Sequence, residues 1–429
     1  MRIPEPHMRN AVSKIRLPSF AIIDARHPMA WALVGGIALV ARYLYYLNKF
    51  GIKRASIVTH KRNCLRCLEK WQGNLHLREI PAEADHLSVV ISMAEEHQWF
   101  LYIDASHLID PRIIQALMNT SHSTIAYMNE DDHQSKSIRA AFLARTDLER
   151  WHSMGSEAVI TSAKALFPAD IDPYSEELRG EVEPYFLAIA SPRDARRATW
   201  KLIASNQKKV MDFSATFIDP PFENALTWLL CYTPVTPNVI TILGLAIAIW
   251  VAWLFWQGYL ISGALTTFLV EILDGVDGKL ARTKLSFSRF GEYEHLVDYF
   301  YENLWYLALG VGLKSIAEGN LPLVLAVTLI LADTTDNILY TMAERWYGKS
   351  IDLFGSFDKH FRLVAGRRNI YGLMFVTGFL AGYPLPTFAV STFWGCFTAV
   401  IHGIRLFQFG KGIRRTERVR TTERVRTTS

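Results

Sequence analysis

The chain has 429 residues, of which 50% are hydrophobic and 12% aromatic, and its formal net charge is +5 at pH 7. This length allows two domains. So small a charge, concentrated in a short arginine-rich tail without aromatic residues, argues against nucleic acid as a partner. Of the four cysteines only Cys64 and Cys67 are closely spaced, which indicates neither an extracellular disulfide framework nor a complete zinc site.

Short apolar strands alternate with helices through residues 1–207, which predicts a soluble α/β domain. Strands are predicted at residues 20–25, 55–60, 99–106 and 123–129, and helices at 30–48 and 111–119. This alternation favours a mostly parallel sheet. Because ligands of such sheets bind at the carboxyl ends of the strands, Asp24 and Asp104 are expected at the edge where a ligand would lie.

An all-α membrane domain is predicted for residues 236–410, preceded by an interfacial helix and linker at residues 208–235. Six apolar segments there approach the length of about 20 residues that a membrane-spanning helix needs. Their approximate bounds are 239–256, 261–280, 292–313, 323–346, 370–381 and 388–409. Residues 411–429 form a basic segment that is predicted to be a disordered tail.

The loops between these segments differ in charge, and the difference predicts their orientation. The loops after the first and fifth segments are uncharged, and the loop after the third carries one charge of each sign. The remaining loops are basic and contain Lys279, Arg282, Lys284, Arg289, Lys359, Arg362, Arg367 and Arg368. Because lysine and arginine in short loops mark the cytoplasmic side, six spans place both termini in the cytoplasm.

Five acidic residues occur where the second and third apolar segments meet this basic side. Asp274 and Asp277 are three residues apart, so they share one face of a helix. Glu294, Asp298 and Glu302 are spaced by four residues and form one face of the next helix. Two antiparallel helices joined by a short loop therefore present two rows of carboxylates to each other.

Facing carboxylates repel each other unless a cation lies between them, and oxygen donors of this kind suit Mg²⁺ or Mn²⁺. Two such ions would serve a displacement at phosphorus, and Lys279 and Arg282 at the same helix end would meet phosphate charge. The alternative is that the acids only form ion pairs with Arg282, Lys284 and Arg289. Ionisable residues inside a membrane favour the functional interpretation.

The stretch DGVDGKLAR resembles the signature of the CDP-alcohol phosphotransferase family. That signature is D-x-x-D-G-x-x-A-R, then seven or eight residues, then G-x-x-x-D-x-x-x-D. The residues that match it at the right spacing are Asp274, Asp277, Gly278, Ala281, Arg282 and Gly291. The upstream stretch TPNVITILG resembles the start of the family's first span, which implies that Asn238 and Thr241 belong to a nucleotide pocket.

The second half of the signature departs from the family pattern. His295 and Tyr299 stand where the two aspartates should be, whereas Glu294 and Asp298 lie one residue earlier with the right mutual spacing. A one-residue shortening would make Glu294 and Asp298 the ligands, and the alternative pairs Asp298 with Glu302. His295 is then either a proton-transfer or substrate contact or a hydrogen-bonded residue at a helix end.

The resemblance implies an enzyme, expected as a homodimer, that moves a substituted phosphate from a CDP-linked donor such as CDP-diacylglycerol to an alcohol and releases CMP. It implies that Asp298 takes the proton of the acceptor hydroxyl. The implied ligands of two Mg²⁺ or Mn²⁺ ions are Asp274, Asp277, Glu294 and Asp298. The implied nucleotide contacts are Asn238, Thr241, Gly278, Ala281, Arg282 and Gly291.

Two further groups are candidates for the acceptor pocket. Arg362, Arg367 and Arg368 lie just before the fifth segment, where they would bind a phosphate of a substrate or serve only as positive charges that set topology. Asp333 and Asp336 lie inside the fourth segment, where they would bind polyol hydroxyls or form a polar pair between helices.

The order of elements in the first half resembles that of sugar-phosphate nucleotidyltransferases. After the first strand, however, RHPMAWALVGG stands where that family has a glycine-rich phosphate loop, and Gly35 and Gly36 are expected inside the following helix. The domain is therefore expected to be degenerate, with a binding, scaffolding or regulatory role. The alternatives for the whole chain are a bifunctional cytidylyltransferase and phosphotransferase of the CDP-inositol type, and a divalent-cation transporter.

Overall fold

A computed structural model describes residues 20–94, 96–134, 137–287, 294–317 and 319–427. The chain divides into two compact units. One is formed by Met1–Ser175 with Glu181–Ser205, and the other by Glu176–Gly180 with Asn206–Ser429. The first unit is of the α/β class, and the second is largely helical.

The strands along the first half of the chain are short. They are β1 (Phe20–Asp24), β2 (Leu33–Val34), β3 (Ile37–Ala38), β4 (Arg54–Thr59), β5 (His76–Pro81), β6 (Trp99–Asp104), β7 (His107–Ile109), β8 (Thr124–Ala126), β9 (Ala140–Ala144), β10 (Lys164–Leu166), β11 (Tyr174–Ser175), β12 (Gly180–Glu181) and β13 (Phe186–Ala188). The helices are α1 (Leu39–Lys49), α2 (Cys64–Gln72), α3 (His86–Met93), α4 (Pro111–Met118), α5 (Glu130–Gln134), α6 (Arg145–Met154), α7 (Ser156–Ile160) and α8 (Pro192–Ser205).

Seven of these strands form one sheet, in the order β10-β8-β9-β6-β1-β4-β5. The pairs β1–β4, β1–β6, β4–β5 and β8–β10 are parallel, whereas β9 runs antiparallel to β6 and β8. The prediction of a mostly parallel α/β sheet is confirmed. The register pairs Asp24 with Asp104, so both carboxylates lie side by side where β1 and β6 end.

The prediction of one helix over residues 30–48 was wrong for residues 30–38. A 3₁₀ turn at Pro28–Trp31 is followed by the β2–β3 hairpin, and the helix α1 begins only at Leu39. Gly35 and Gly36, with φ of 61° and 77°, form the hairpin turn and lie outside the helix. Two consecutive glycines take positive φ without steric cost, which overrides the helical pattern of the apolar residues around them.

In the second unit, a π-helical turn at Ser214–Ile218 is followed by a series of helices. They are α9 (Pro220–Cys231), α10 (Pro237–Trp256), α11 (Leu260–Lys284), α12 (Glu294–Leu313), α13 (Leu321–Tyr347), α14 (Ser356–Phe361), α15 (Arg368–Leu380) and α16 (Pro384–Thr427). The last helix thus continues through the segment for which a disordered tail was predicted.

Three helices among the described residues are long and apolar enough to cross a membrane. They are α10, α13 and the part of α16 that covers Pro384–Gly412. Helix α10 has a mean hydropathy of 2.3, which is typical of a membrane span. These helices identify the chain as a membrane protein.

Close packing holds α12 against α10. The indole Nε1 of Trp305 donates a hydrogen bond of 2.7 Å to the backbone carbonyl of Ala248. Gly312 approaches α10 so closely that an added Cβ would lie 1.9 Å from the carbonyl oxygen of Phe255. Small residues allow such close crossings in membrane helices. The packing fixes the position of α12, the helix that carries Asp298 and Glu302.

The end of α11 is tied to the chain just before α10. Lys284 Nζ donates hydrogen bonds of 2.6 and 2.7 Å to the carbonyl oxygens of Thr233 and Val235. Both carbonyls lie in the short connection between α9 and α10. The two open ends of the α10–α11 hairpin are therefore joined at the end where the signature acids lie.

Candidate active site

A polar cavity of about 420 Å³ lies among the helices of the second unit. Its wall contains six of the residues that the sequence predicts for the site: Asp274, Asp277, Gly278, Arg282, Asp298 and Glu302. The same wall carries the three predicted substrate arginines, Arg362, Arg367 and Arg368. The fold thus gathers residues of α11, α12 and the segment before α15 around one space.

Asp277 is fixed by the first helix of the membrane domain. The hydroxyl of Thr241 donates a 2.7 Å hydrogen bond to Asp277 Oδ2, and Asp277 itself is buried. Asn238 lies half-buried in the first turn of the same helix, α10. Ala281 is one turn beyond Asp277 on α11 but is not part of the cavity wall. The hydrogen bond from Thr241 orients the Asp277 carboxylate before any substrate binds.

Arg368 joins the two rows of carboxylates. Its Nη2 lies 2.8 Å from Asp274 Oδ2 on α11, and its Nη1 lies 3.2 Å from Glu302 Oε1 on α12. The guanidinium also donates a hydrogen bond to the hydroxyl of Tyr301. The predicted substrate-binding residue Arg368 is thus an ion-pair partner of Asp274 and Glu302 in this structure.

Asp298 lines two neighbouring cavities. It lines the polar cavity, and it also lines an apolar cleft of about 70 Å³ between α10, α11 and α12 that Asp274 and Asp277 share. Gly291 and the side chains of Glu294 and His295 fall outside the described residues, although α12 begins at Glu294. The choice between Glu294 and Glu302 therefore stays a prediction.

The chemistry of the wall suits a hard divalent cation. Asp274, Asp277 and Asp298 line one cavity, and carboxylate oxygens are donors that Mg²⁺ and Mn²⁺ take. Within the described ranges, no three acidic, histidine or cysteine side chains converge closely enough to hold a metal ion. The predicted set also includes Glu294, whose side chain is not among those described.

The two other arginines enter the cavity from the segment before α15. Arg362 is buried and lies 3.5 Å from Asp352 Oδ2, yet its Nη1 has no hydrogen-bond partner within the described part of the chain. The Arg367 guanidinium lies 4.3 Å from the centre of the Tyr340 ring. A buried guanidinium nitrogen beside a cavity is suited to an anionic ligand such as a phosphate.

Comparison with known proteins identifies this helical region. Residues 234–399 match the family model described as CDP-alcohol phosphatidyltransferase. This stretch is a CDP-alcohol phosphatidyltransferase domain. The matched residues run from just before α10 into α16 and include the whole α11 signature. The prediction of a CDP-alcohol phosphotransferase is confirmed at the level of the family.

Two solved structures resemble part of the chain, both only distantly. A phosphatidylinositol phosphate synthase of Mycobacterium tuberculosis, solved with CDP-DAG bound, is 19% identical, covers 44% of this chain and 94% of its own, and has a TM-score of 0.35. A 4-diphosphocytidyl-2C-methyl-D-erythritol synthase of Anaerococcus prevotii is 12% identical, covers 42% of this chain and 95% of its own, and has a TM-score of 0.29. No curated protein matches the chain. Neither resemblance is close enough to assign a substrate.

A buried ion pair between α9 and α11 of the CDP-alcohol phosphatidyltransferase domain was not foreseen from the sequence. Lys279 Nζ lies 2.7 Å from Glu223 Oε2 and donates a 2.6 Å hydrogen bond to Asn224 Oδ1. Lys279, which was expected to meet phosphate charge, lines the cavity, and its ammonium group is held by these two residues of α9. No local sequence pattern predicts these contacts, since Asn224 and Lys279 are 55 positions apart in the sequence.

The same carboxylate packs against a glycine of the signature. A Cβ added to Gly275 would lie 1.9 Å from Glu223 Oε1 and 2.3 Å from its Cδ. Glu223 is almost fully buried, so it cannot simply turn into solvent. Helix α9 therefore packs closely against α11 at Gly275, which lies between the two signature aspartates.

Glutamine substitutions on α12 test the assignment of the fourth ligand in the CDP-alcohol phosphatidyltransferase domain. If Glu294 completes the metal site, Glu294→Gln should lower kcat by about 100-fold, because one anionic donor is lost at the reacting phosphate. Glu302→Gln should lower kcat by less than about tenfold, because it removes one ion-pair partner of Arg368 and leaves Asp274 paired with that arginine. Steady-state CMP release by both purified variants decides between them, and a larger loss in Glu302→Gln would reverse the assignment.

The two carboxylates at the sheet edge of the first unit are both engaged internally. Asp24 pairs with Arg26 at 2.5 Å and accepts a 2.8 Å hydrogen bond from the Tyr102 hydroxyl. Burial opposes ionisation of Asp104, but hydrogen bonds from His107 and Ser106 outweigh it and lower the pKa of Asp104 to about 2. Side chains of the domain therefore satisfy both carboxylates.

Proposed function

We propose that the chain is an integral membrane enzyme that transfers a substituted phosphate group from a CDP-alcohol donor to an alcohol acceptor and releases CMP. The products would be phospholipids or polar headgroup phosphodiesters. The observation that carries this proposal is the shared cavity, in which the signature acids Asp274, Asp277 and Asp298 face the arginines that precede α15.

In this proposal, Asp298 accepts the proton of the acceptor hydroxyl while the acceptor oxygen bonds to phosphorus and the phosphorus–oxygen bond to CMP breaks. Mg²⁺ or Mn²⁺, expected as two ions, would neutralise pyrophosphate charge when held by Asp274, Asp277, Asp298 and Glu294. Thr241 keeps Asp277 oriented for that task. The nucleotide would lie against Asn238, Gly278, Ala281, Arg282 and Gly291.

The apolar cleft beside the acids supports a lipid donor such as CDP-diacylglycerol. Ile240, Leu245, Val270 and Leu273 line it together with Asp274. A donor with an apolar tail in this cleft would present its polar part to the carboxylates. The arginines Arg362, Arg367 and Arg368 would then bind phosphate of the donor or of the acceptor.

We further propose a division of the chain that follows the sequence pattern. Residues 1–207 form a nucleotidyltransferase-like domain, 208–235 an interfacial linker, 236–410 a six-span domain and 411–429 a basic tail. Three helices meet the length and hydropathy of a span. The α11, α12 and α15 helices are proposed as the other three.

The positive loops support a cytoplasmic site and cytoplasmic termini. A homodimer is proposed from the family.

The first unit is proposed to be catalytically inactive and to bind, scaffold or regulate. Its support is the engagement of Asp24 and Asp104 by neighbouring side chains, which leaves no free carboxylate pair at that edge among the described residues. Full-length protein with CTP, Mg²⁺ and sugar or inositol phosphates should release no pyrophosphate above background. Pyrophosphate release that Asp104→Asn abolishes would instead support the bifunctional alternative.

CMP release tests the proposed activity directly. Purified full-length protein in Mg²⁺, supplied with CDP-diacylglycerol or other CDP-alcohols and a panel of alcohols, should release CMP, and EDTA should stop it. Absence of CMP with every pair, together with Mg²⁺ or Mn²⁺ flux into liposomes, would favour the transporter alternative. The glycine and arginine at fixed spacing beside the acids have no evident role in an ion path.

A further inference from the structure

The wall of the active-site cavity includes a group of residues on α13 that lie outside the family signature. Asp333, Asp336 and Asn337 are spaced three and four residues apart, so they share one face of the helix, and all three line the cavity with Asp298. Both aspartates are more than nine-tenths buried. Ionisable residues at this depth in an apolar helix are costly, which indicates a role beyond helix packing.

The two aspartates have different partners. Asp336 Oδ1 lies 2.5 Å from His402 Nδ1, which comes from α16. Tyr340 and Phe361 pack edge-on against the imidazole, with ring centroids at 5.3 and 5.4 Å, and His402 is buried. The histidine is therefore held in place, and it holds the carboxylate of Asp336 in turn.

Asp333 is directed by its own helix. Its Oδ2 accepts a 3.1 Å hydrogen bond from the Asn337 amide, one turn further along α13. The Asn337 amide nitrogen also donates a 3.1 Å hydrogen bond to the Asp333 backbone carbonyl, so its two hydrogens are used within the helix. The pair therefore presents carboxylate and amide oxygens, and such acceptors match hydroxyl groups, which donate hydrogen bonds.

We propose that Asp333 and Asn337 bind hydroxyl groups of the acceptor alcohol, that Asp336 and His402 position them, and that the acceptor is a polyhydroxylated compound. This inference rests on the proposed function. An amino alcohol is the competing acceptor class, because its ammonium group would also meet the carboxylates of this wall, and the acceptor panel below distinguishes the two.

Acceptor kinetics with the full-length protein test the contact residues. Glycerol 3-phosphate, myo-inositol and myo-inositol 1-phosphate are compared with serine and ethanolamine, at saturating CDP-alcohol. Asp333→Ala and Asn337→Ala should each raise the KM for the active polyol about tenfold, the loss of about one good hydrogen bond, and leave the donor KM unchanged. Thr335→Val is the matched control, because the exposed Thr335 hydroxyl bonds to the Leu331 carbonyl of its own helix and does not line the cavity.

Variants of His402 separate positioning from general stability. His402→Ala should raise the acceptor KM and leave the donor KM unchanged. His402→Asn should largely restore the acceptor KM, because its amide replaces the Nδ1 donor to Asp336. A purely structural histidine would instead alter both KM values and kcat together, and asparagine would not restore the acceptor KM selectively.

A thermal shift gives a second measurement that needs no turnover. The active polyol alone should raise the Tm of the wild-type protein and not that of Asp333→Ala or Asn337→Ala. An unchanged acceptor KM in both variants, or preference for serine or ethanolamine over every polyol, would overturn the inference while the phosphotransferase activity stands. No CMP release by wild-type protein with any acceptor would overturn both.

Discussion

Asp277→Asn is expected to lower CMP release by about a thousandfold or more, which corresponds to about 4 kcal/mol of transition-state stabilisation. Asparagine can still accept the hydrogen bond from Thr241, so the local structure should persist. What is lost is a negative charge at the proposed metal and pyrophosphate position. Charge at the reacting phosphate is the largest contribution that such a site can make to the rate.

Two further variants make the Asp277 experiment specific. Thr241→Val removes the hydrogen bond and keeps the negative charge of Asp277, so it should lower the rate of CMP release only about tenfold. Glu344→Gln neutralises an exposed acid on α13 and should leave the rate unchanged. Rates are measured as CMP release over a range of Mg²⁺ concentrations. Wild-type turnover in Asp277→Asn at any of them would remove Asp277 from the mechanism.

Gly275→Ala is expected to lower both stability and activity strongly. The new methyl group would overlap the Glu223 carboxylate, and Glu223 can move away only by giving up its ion pair with Lys279. Breaking a buried pair of this kind costs about 3–5 kcal/mol, because the remaining charge stays buried without its partner. Since Gly275 stands between Asp274 and Asp277, the distortion would reach both carboxylates.

Thermal unfolding in detergent and CMP release measure the Gly275→Ala effect. Gly403→Ala is the matched control, because the nearest atom to its added methyl group is Leu339 Cδ1 at an ordinary 3.8 Å. Combining Gly275→Ala with Glu223→Ala removes the overlap, so the double variant should be more stable than the sum of the two single losses predicts. Strict additivity would show that the overlap is not the cause.

The signature half of the site could be predicted because its information is local. Asp274 and Asp277 are three positions apart on one helix and belong to a motif of fixed spacing. Their structural partners could not be predicted in the same way. Arg368 reaches Asp274 across 94 residues of sequence, and this contact depends on how α15 packs, which no short pattern encodes.

The α/β unit shows a second limit of sequence patterns. Apolar strands such as β1 and β6 were predicted correctly, because continuous burial leaves an uninterrupted apolar run. The direction of β9, and the hairpin at Gly35 and Gly36, were not foreseen. Strand direction is set by the route of the connecting chain, and the glycine pair was hidden in a sequence whose apolar spacing resembles a helix.

The bond from Lys284 to the connection before α10 has a consequence for biogenesis. It closes a loop within a contiguous stretch of the chain, between residues 233 and 284, so it needs nothing that is synthesised later. The α10–α11 hairpin, together with the Thr241–Asp277 contact inside it, can therefore assemble while the remainder of the polypeptide is still leaving the ribosome. The signature residues of α11 would then be in position early, and the later helices would pack against an α10–α11 hairpin that has already formed.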